Sequence, residues 1–188
     1  MSEEAGQIRK DELDPQARAL RRLALAKIRQ YGDDALRMTA REVADFDEDL
    51  ERLAERMIAL MRDAAGVGLA AAQVGILQRV FVLEPDDDGP HVFVHPRIVE
   101  RSDETVVEDE GCLSLQGVLV PVERNVEVTL EALDVRGGTL RLSFTGLASR
   151  VVQHEVDHLD GTLIIDRTDQ ESRRDALATL RPKPVLYG

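Results

Sequence analysis

The sequence predicts a single domain of the α+β class, in which antiparallel strands pack around a metal-binding helix and additional helices lie near both ends of the chain. Apolar residues recur at helical spacing near both ends. Between them, residues 79–145 contain short apolar or alternating runs separated by turn residues. A third observation is the segment His154-Glu155-Val156-Asp157-His158, whose two histidines share one face if the segment is helical.

Two helices are predicted in the first third of the chain. Residues 1–13 are charged and lack periodicity, which predicts a loose segment. Pro15 to Gln30 reads as a helix with Asp14 as its N-cap. The second helix is predicted from about Asp47 to Asp63, with Asp45 or Asp47 as cap. Its apolar stripe consists of Leu50, Leu53, Met57, Leu60 and Met61.

The middle of the chain predicts strands, and the last part predicts helices again. The predicted strands are Arg79–Leu83, His91–His95 (ended by Pro96), Ile98–Val107, Val118–Val122, Val126–Leu133 and Thr139–Thr145. The turns expected between them are Pro85–Pro90 and Arg136–Gly138. The predicted helices are Leu147–Leu159, stopped at Gly161, and Gln170–Leu180.

Composition excludes several classes of protein. The net charge of −12 argues against nucleic-acid binding through the fold as a whole. No apolar run is long enough to span a bilayer, and the polar N-terminus does not resemble a secretory signal. The only cysteine, Cys112, cannot form an intramolecular disulfide, which fits a reducing compartment. We therefore expect a cytoplasmic protein without membrane partners, and we favour a monomer.

The His154–His158 segment predicts metal chemistry. On a helix, both imidazoles can point at one ion, and Glu155 beside them can handle the proton of a water bound to that ion. A catalytic metal needs a third protein ligand. A histidine six residues after the second would supply one, but that position is Ile164, and Glu171 is too near in sequence for the glutamate pattern. Cys112 is the remaining strong candidate, and its thiolate suits Fe, Zn, Ni or Co.

A third segment, Gly66-Val67-Gly68-Leu69-Ala70-Ala71-Ala72-Gln73, is a weak signal by itself, because Gly/Ala-rich stretches often reflect tight packing. It lacks the lysine of a phosphate-binding loop and the third glycine of a dinucleotide fingerprint. Its functional interpretation is the wall of a narrow pocket, with the Gln73 amide available to a developing oxyanion.

Taken together, the three segments resemble the peptide deformylase family, bacterial-type enzymes that remove the N-formyl group from nascent polypeptides. Residues 66–73 match its Gly-apolar-Gly-apolar-Ala-Ala-x-Gln motif, 110–114 match Glu-Gly-Cys-apolar-Ser, and 153–161 match Gln-His-Glu-x-Asp-His-Leu-x-Gly. The resemblance extends from about Ile28 to Thr168. Residues 1–24 are interpreted as an N-terminal extension, partly loose or helical, and 25–188 as one catalytic domain.

The resemblance implies a role for each motif residue. It implies a metal held by Cys112, His154 and His158, natively Fe²⁺, with Zn²⁺, Ni²⁺ or Co²⁺ often found in purified protein. Glu155 would be the general base for a metal-bound water. Gln73 and the backbone N–H of Leu113 would hold the oxyanion. The substrate would be an N-formyl-methionyl nascent peptide, met near the ribosomal exit tunnel.

Other residues are expected to bind the substrate or to support the site. Gly66, Val67 and Gly68 are expected to let a peptide lie against the backbone. Leu147 and Val151 are candidates for a methionine pocket, although Val151 fits an ordinary core role equally well. Asp157 is expected to support the metal site from a distance, paired with Arg124 or Arg150. Ser114 and Glu110 are expected to fix a loop, and His95 is expected to be structural.

The sequence departs from the family pattern after Ser114, where 115–121 is short and lacks an arginine that some members have. Three rival functions stay open. A general zinc endopeptidase would share the helical pair and Glu155. A structural metal site would be one ligand short and would give Glu155 no role. An inactive relative is disfavoured because every catalytic position is kept.

Overall fold

The computed structural model describes residues 14–85 and 89–181. Its four α-helices are α1 (Pro15–Leu25), α2 (Glu48–Asp63), α3 (Gly146–Leu159) and α4 (Gln170–Leu180). Its seven strands are β1 (Gly68–Ala70), β2 (Val80–Leu83), β3 (His91–Arg101), β4 (Thr105–Gly111), β5 (Leu119–Asn125), β6 (Glu127–Leu133) and β7 (Thr139–Thr145). The predicted loose segment 1–13 and the middle of the predicted turn at Pro85–Pro90 lie outside the described residues.

The strands form two antiparallel sheets. Five strands are ordered β1-β2-β3-β6-β7, and β4 pairs with β5 in a separate hairpin. Helix α3 packs against the larger sheet, with contacts to β1, β2 and β7, and also touches β5. The predicted α+β class, with antiparallel strands around the central helix, is therefore confirmed.

The core consists of three apolar clusters that surround α3 and the β4–β5 hairpin. The first joins α1 and α2 to β1 and β2, and it includes Met57, Met61 and Leu113. The second lies between the larger sheet and α3 and includes Phe81, Phe93 and Val151. The third lies around the hairpin and α4. Cys112 belongs to this third cluster, whereas Leu69 lies in the first and Val156 in the second. Each of the three motif segments therefore contributes to the core.

Most predicted helix boundaries are confirmed. Asp47, rather than Asp45, caps α2 by accepting hydrogen bonds from the N–H groups of Asp49 and Leu50. Asp14 caps α1 through the N–H of Ala17, and α4 has its predicted limits. These helices follow local signals, because a cap side chain satisfies N–H groups that the first turn leaves without partners.

The predicted end of the first helix was wrong: α1 ends at Leu25 and not at Gln30. After Leu25, the N–H groups of Lys27 and Ile28 bond to carbonyls three residues back, which tightens the chain into turns. The N–H of Arg29 then donates to the carbonyl of Gln73, 2.7 Å away. A distant partner therefore replaces the helical one.

Two strand boundaries also differ from the prediction. Pro96 does not end its strand, since β3 continues to Arg101 across a register shift between Val94 and Arg97. At this bulge His95 has a positive φ of 52°, and Pro96 needs no ladder hydrogen bond. The predicted strand Ile98–Val107 is divided between β3 and β4.

None of the helices in the described parts of the chain is long and apolar enough to cross a membrane.

Candidate active site

Helix α3 carries two histidines on one face. It begins directly after β7, so the sheet fixes its position. The ring centroids of His154 and His158 are 4.9 Å apart, and the rings meet edge to face. His158 is buried, and the His154 side chain is only 11% exposed. The i, i+4 spacing therefore produces the shared face that the sequence predicts.

Cys112 reaches the same point from the end of β4. Its Sγ atom lies 3.2 Å from Nε2 of His158, and it accepts a hydrogen bond from the N–H of Ser114 at 3.4 Å. One candidate ligand atom from each of Cys112, His154 and His158 lies within 4.8 Å of the other two. Among the described residues, these three form the group that could hold a metal ion.

Gln73 connects the Gly/Ala-rich segment to this cluster. It lies in the 3-10 turn Ala71–Val74, which follows β1, and is almost completely buried. Its Oε1 atom accepts from the N–H of Ala70 at 2.8 Å, so the amide nitrogen is directed the other way. That nitrogen lies 3.2 Å from Oγ of Ser114 and 3.8 Å from Sγ of Cys112.

Gly68 leaves room for Glu155. A Cβ atom at Gly68 would lie 2.5 Å from Oε1 of Glu155 and 2.7 Å from Cγ1 of Val151. Any larger residue would therefore displace the carboxylate. The Oε2 atom of Glu155 is buried and has no hydrogen-bond partner among the described residues. A buried carboxylate oxygen without a partner is costly and marks a candidate functional group.

A small cavity lies beside these groups, lined by Gly68, Gln73, Glu110, Gly111, Cys112, Leu113, Arg150, Val151, His154 and Glu155. It unites the three sequence motifs. Burial raises the pKa of Glu155 to about 7, against the opposing effect of His154. Burial alone would lower the pKa of His154, but Cys112 and Glu110 outweigh it and hold that pKa well above its ordinary value. The pKa of His158, in contrast, is held well below its ordinary value, mainly by burial.

Glu110, which was expected to fix a loop, also contacts His154 and two buried arginines. It is 1% exposed, and its Oε2 lies 3.1 Å from Nδ1 of His154. Arg124 donates to both of its oxygens, at 2.8 and 3.0 Å, and Arg150 donates to Oε1 at 2.8 Å. Burial would raise the pKa of Glu110, but hydrogen bonds with His154 and Arg124 reverse the effect and lower it. A carboxylate on Nδ1 of a histidine fixes the ring and its tautomer.

Asp157 faces away from the cluster and pairs with an arginine, as predicted. Of the two arginines considered, the partner is Arg124, at 2.6 Å, whereas Arg150 binds Glu110 and Glu108. Arg167 is a second partner that the sequence did not indicate, at 2.6 Å. The wider network has no clear signal in the sequence, because Glu110 and Arg124 lie in strands that also contain other charged residues, such as Asp109 and Glu123.

The other predicted site residues divide into two groups. Gly68, Leu113 and Val151 line the cavity, and Val151 also belongs to the second core cluster. Val67 and Leu147 pack against that cluster, and neither lines the cavity. Gly66 lies against Leu113, since a Cβ there would be 2.8 Å from Cδ1 of Leu113. A substrate-binding role stays a prediction for all five residues, Gly66, Val67, Gly68, Leu147 and Val151.

Two further expectations concern residues with predicted structural roles, Ser114 and His95. Ser114 contacts Gln73 and Cys112 within the motif loop, as a loop-fixing residue should. His95 is remote from the cluster. Its Nε2 accepts a hydrogen bond from the N–H of Val43 at 2.7 Å, and its ring packs against Phe46. These contacts agree with the structural role predicted for His95.

Two histidines and a buried glutamate on a helix packed against an antiparallel sheet, with Cys112 beside them after β4, are typical of the class of metal-binding hydrolases. Comparisons with known proteins are more specific. The sequence model of the polypeptide deformylase family matches residues 25–174. A peptide deformylase of Clostridium botulinum is 47% identical over 149 residues, covering 79% of this chain and 100% of the relative. The chain therefore belongs to the polypeptide deformylase family.

Solved structures agree with this assignment. The crystal structure of the peptide deformylase from Thermotoga maritima has a TM-score of 0.73 and 46% identity, covering 76% of this chain and 96% of that one. A peptide deformylase from Legionella pneumophila has a TM-score of 0.79 and 38% identity, covering 82% and 92%. Membership makes this protein an enzyme of the hydrolase class, and the family match begins at the end of α1.

Proposed function

We propose that this protein is a peptide deformylase that hydrolyses the N-formyl group of the formyl-methionine at the start of nascent polypeptides. The products are formate and a free N-terminal amine. The observation that carries the proposal is the unpartnered, buried Oε2 of Glu155 in the cavity that also contains Cys112 and His154. This is the place and the state that a general base for hydrolysis requires.

The residues present fit a divalent metal ion. One thiolate and two imidazoles are a donor set for borderline metals such as Fe²⁺, Zn²⁺, Ni²⁺ or Co²⁺. If Nδ1 of His154 donates to Glu110, its Nε2 keeps a lone pair for an ion. Three protein ligands leave a position open for water or substrate, whereas a structural site is normally closed by four. When bound, the ion would lower the pKa of water and polarise the formyl carbonyl.

The chain's own residues would then perform the proton transfers. Glu155 takes a proton from the attacking water and returns it to the amine nitrogen as the C–N bond breaks. The formyl oxygen, negatively charged during the attack, needs donors that are fixed beforehand. Gln73 and Leu113 line the same cavity, and the Gln73 amide nitrogen and the N–H of Leu113 are proposed for that role.

Glu110, Arg124 and Asp157 would act as support. The Glu110 carboxylate holds His154 in one tautomer, and Arg124 holds Glu110 and Asp157 together. Because all of these groups are buried and mutually hydrogen-bonded, the ligand orientation is set before a substrate arrives. We propose Fe²⁺ as the native ion, which a thiolate-containing site would leave sensitive to oxidation.

The test is release of formate from formyl-Met-Ala-Ser by protein prepared without oxygen and with its metal content measured. Wild type should release formate rapidly, and Glu155→Gln should lose the activity while it keeps the metal. Unblocked Met-Ala-Ser and longer internal peptides are the controls for the rival endopeptidase function. Fully metallated wild type that releases no formate, or that cleaves internal peptide bonds, would overturn the proposal.

A second comparison tests the metal. Protein loaded with Fe²⁺ or Ni²⁺ under nitrogen should be active, and exposure of the iron form to air should remove activity that reloading restores. The nickel form is the matched control because it lacks the same redox chemistry. Equal activity of air-exposed and protected iron samples would contradict the proposal that iron is the native ion.

A further inference from the structure

Helix α1 contains a buried arginine that the proposed reaction does not use. Arg21 is 5% exposed, and its Nε atom donates to the carbonyl oxygen of Ala64 at 3.0 Å. Ala64 is the C-cap of α2. Helix ends leave carbonyl groups without internal partners, and a cation there is favourable because of the helix dipole. Arg21 therefore holds the last turn of α2 from outside the segment that the family model matches.

The end of α2 leads directly into the wall of the active site. The N–H of Gly66 bonds to the carbonyl of Met61 at 2.9 Å, and Ala65 between them has a positive φ of 54°. Such a backbone is strained for alanine and persists only where its surroundings hold it. Two residues later, Gly68 lies against Glu155. A shift of the α2 end would therefore move the Gly66–Gly68 loop relative to the proposed base.

The strap, defined as residues 26–31 after α1, contacts both proposed oxyanion donors. The N–H of Arg29 donates to the carbonyl of Gln73 at 2.7 Å. The side-chain nitrogen of Gln30 donates to the carbonyl of Leu113 at 3.2 Å, and its oxygen accepts from Gln116 at 2.9 Å. The N–H of Tyr31 donates to the carbonyl of Ser114 at 2.9 Å. The strap thus bridges two motif segments that are far apart in sequence.

We propose that α1 and the strap form a positioning element for the active site, in which Arg21 aligns the Gly66–Gly68 loop and Gln30 aligns Leu113. The inference rests on the proposed function for its kinetic consequence, because these residues are positioned relative to Glu155 and to the oxyanion donors. Neither Arg21 nor Gln30 is proposed to touch the substrate. Both act through the backbone of the residues that line or enter the cavity.

The first variant pair is Arg21→Met, which removes the donor, and Arg22→Met, its exposed neighbour on the same helix. A misplacement of catalytic groups by about 1 Å can cost about 10²-fold, and we expect Arg21→Met to lower kcat by about 10-fold. The metal content should not change. Arg21→Lys should restore most of kcat because its ammonium can donate to the same carbonyl.

Amide hydrogen exchange supplies a readout that does not depend on the reaction. Arg21→Met should speed exchange at residues 65–68, and Gln30→Met should speed it at 113–116, whereas Arg22→Met should change neither. A purely structural role would lower the melting temperature without altering kcat well below that temperature. Gln30→Met serves as the second test of the element if Arg21→Met does not fold.

The outcomes separate the two proposals. If the wild-type protein releases no formate, the proposed function is contradicted. Amide hydrogen exchange at residues 65–68 and 113–116 then still tests whether Arg21 and Gln30 position these segments. Active wild type with Arg21→Met and Gln30→Met indistinguishable from Arg22→Met, in both kcat and exchange, would overturn the positioning element alone.

Discussion

Two buried glutamates near His154 line the same cavity but differ in their hydrogen bonds and in the direction in which their pKa is shifted. Glu110 is 1% exposed and Glu155 is 3% exposed. Glu110 lies in the ion network with Arg124 and Arg150, and its pKa is lowered. Glu155 lies in the cavity with one oxygen unpartnered, and its pKa is raised to about 7.

The comparison shows that burial alone does not set the role of a carboxylate. Desolvation opposes the ionised form at both positions, and only Glu110 has enough donors to overcome it. A satisfied carboxylate can orient another group, while an unsatisfied one can accept a proton. This difference supports the proposed division of the site, in which Glu110 orients His154 and Glu155 transfers the proton.

The sharpest test of this division is Glu155→Gln, which should lower kcat by about 10²–10⁴-fold because general acid–base catalysis is lost. The protein should unfold at the same or a higher denaturant concentration, since an unsatisfied buried carboxylate is removed. Formate release and urea unfolding measure the two effects. If Glu155→Gln unfolds at a much lower urea concentration than wild type, Glu155 stabilises the fold as Glu110 does, and the proposed division is contradicted.

The next largest effect on turnover is expected for Gln73→Leu, at a residue that lines the cavity with Glu155. Loss of one oxyanion donor typically costs about 10²–10³-fold in turnover, and the similar volume of leucine should leave the core filled. Metal content, measured by elemental analysis, should equal that of wild type. Unchanged turnover would remove Gln73 from the reaction.

In the buried ion network of Glu110, Arg124 and Arg150, the variant Glu110→Gln should weaken metal binding by about 10–100-fold, because His154 loses its carboxylate partner. Breaking a buried ion pair typically lowers the free energy of unfolding by about 3–5 kcal/mol. We expect a decrease near the lower end of that range, since Arg124 keeps Asp157 as a partner. Competition with a chelator and urea unfolding are the measurements.

The matched control for that variant is Glu100→Gln, at a carboxylate that pairs with Arg141 on the surface and is 63% exposed. It should change stability by less than about 1 kcal/mol and leave metal binding unchanged. Equal losses at positions 100 and 110 would show that burial of the network does not matter.

The exposed carboxylate Asp166 is expected to give the smallest effect apart from the control at Glu100. Asp166 accepts hydrogen bonds from Arg37, from Arg173 at 2.8 Å and from the N–H of Leu163 at 2.9 Å. Partial burial would raise its pKa, but these bonds outweigh it and lower the pKa below the ordinary value of 3.8.

A carboxylate with a lowered pKa in the folded state stabilises the protein above its unfolded-state pKa. Asp166→Asn should therefore cost about 1 kcal/mol at pH 7, and the difference from wild type should shrink as the pH falls below about 4. Thermal unfolding at several pH values measures it. A difference that grows towards acid pH would contradict the sign of the shift.

Local signals determined much of the fold. The caps at Asp14 and Asp47 and the alternation of 139–145 depend on neighbours within a few residues, and these elements were predicted with nearly correct limits. The end of α1 was not, because Arg29 bonds to Gln73 across the fold. The continuation of β3 past Pro96 was missed for a similar reason: a bulge accommodates the proline, and sequence spacing does not reveal a bulge.

The site shows the same division. Residue type and spacing were enough to select Cys112, His154, His158 and Glu155, since few side chains bind a metal or move a proton. They also suggested two partners for Asp157, of which the structure selected Arg124. The roles proposed for Glu110, Arg21 and Gln30 could not be predicted, because each depends on a distant partner. Glu110 contacts His154 at a separation of 44 residues, Arg21 contacts Ala64 at 43, and Gln30 contacts Leu113 at 83.

The sequence by itself thus determined which chemistry this protein carries, since the reactive groups and their helical spacing are local properties of the chain. Only the tertiary structure decided which buried carboxylate is fully hydrogen-bonded and which has an oxygen without a partner among the described residues. That difference arises from the number of hydrogen-bond donors around each group, and the donors to Glu110 come from β5 and α3, which folding brings to the end of β4.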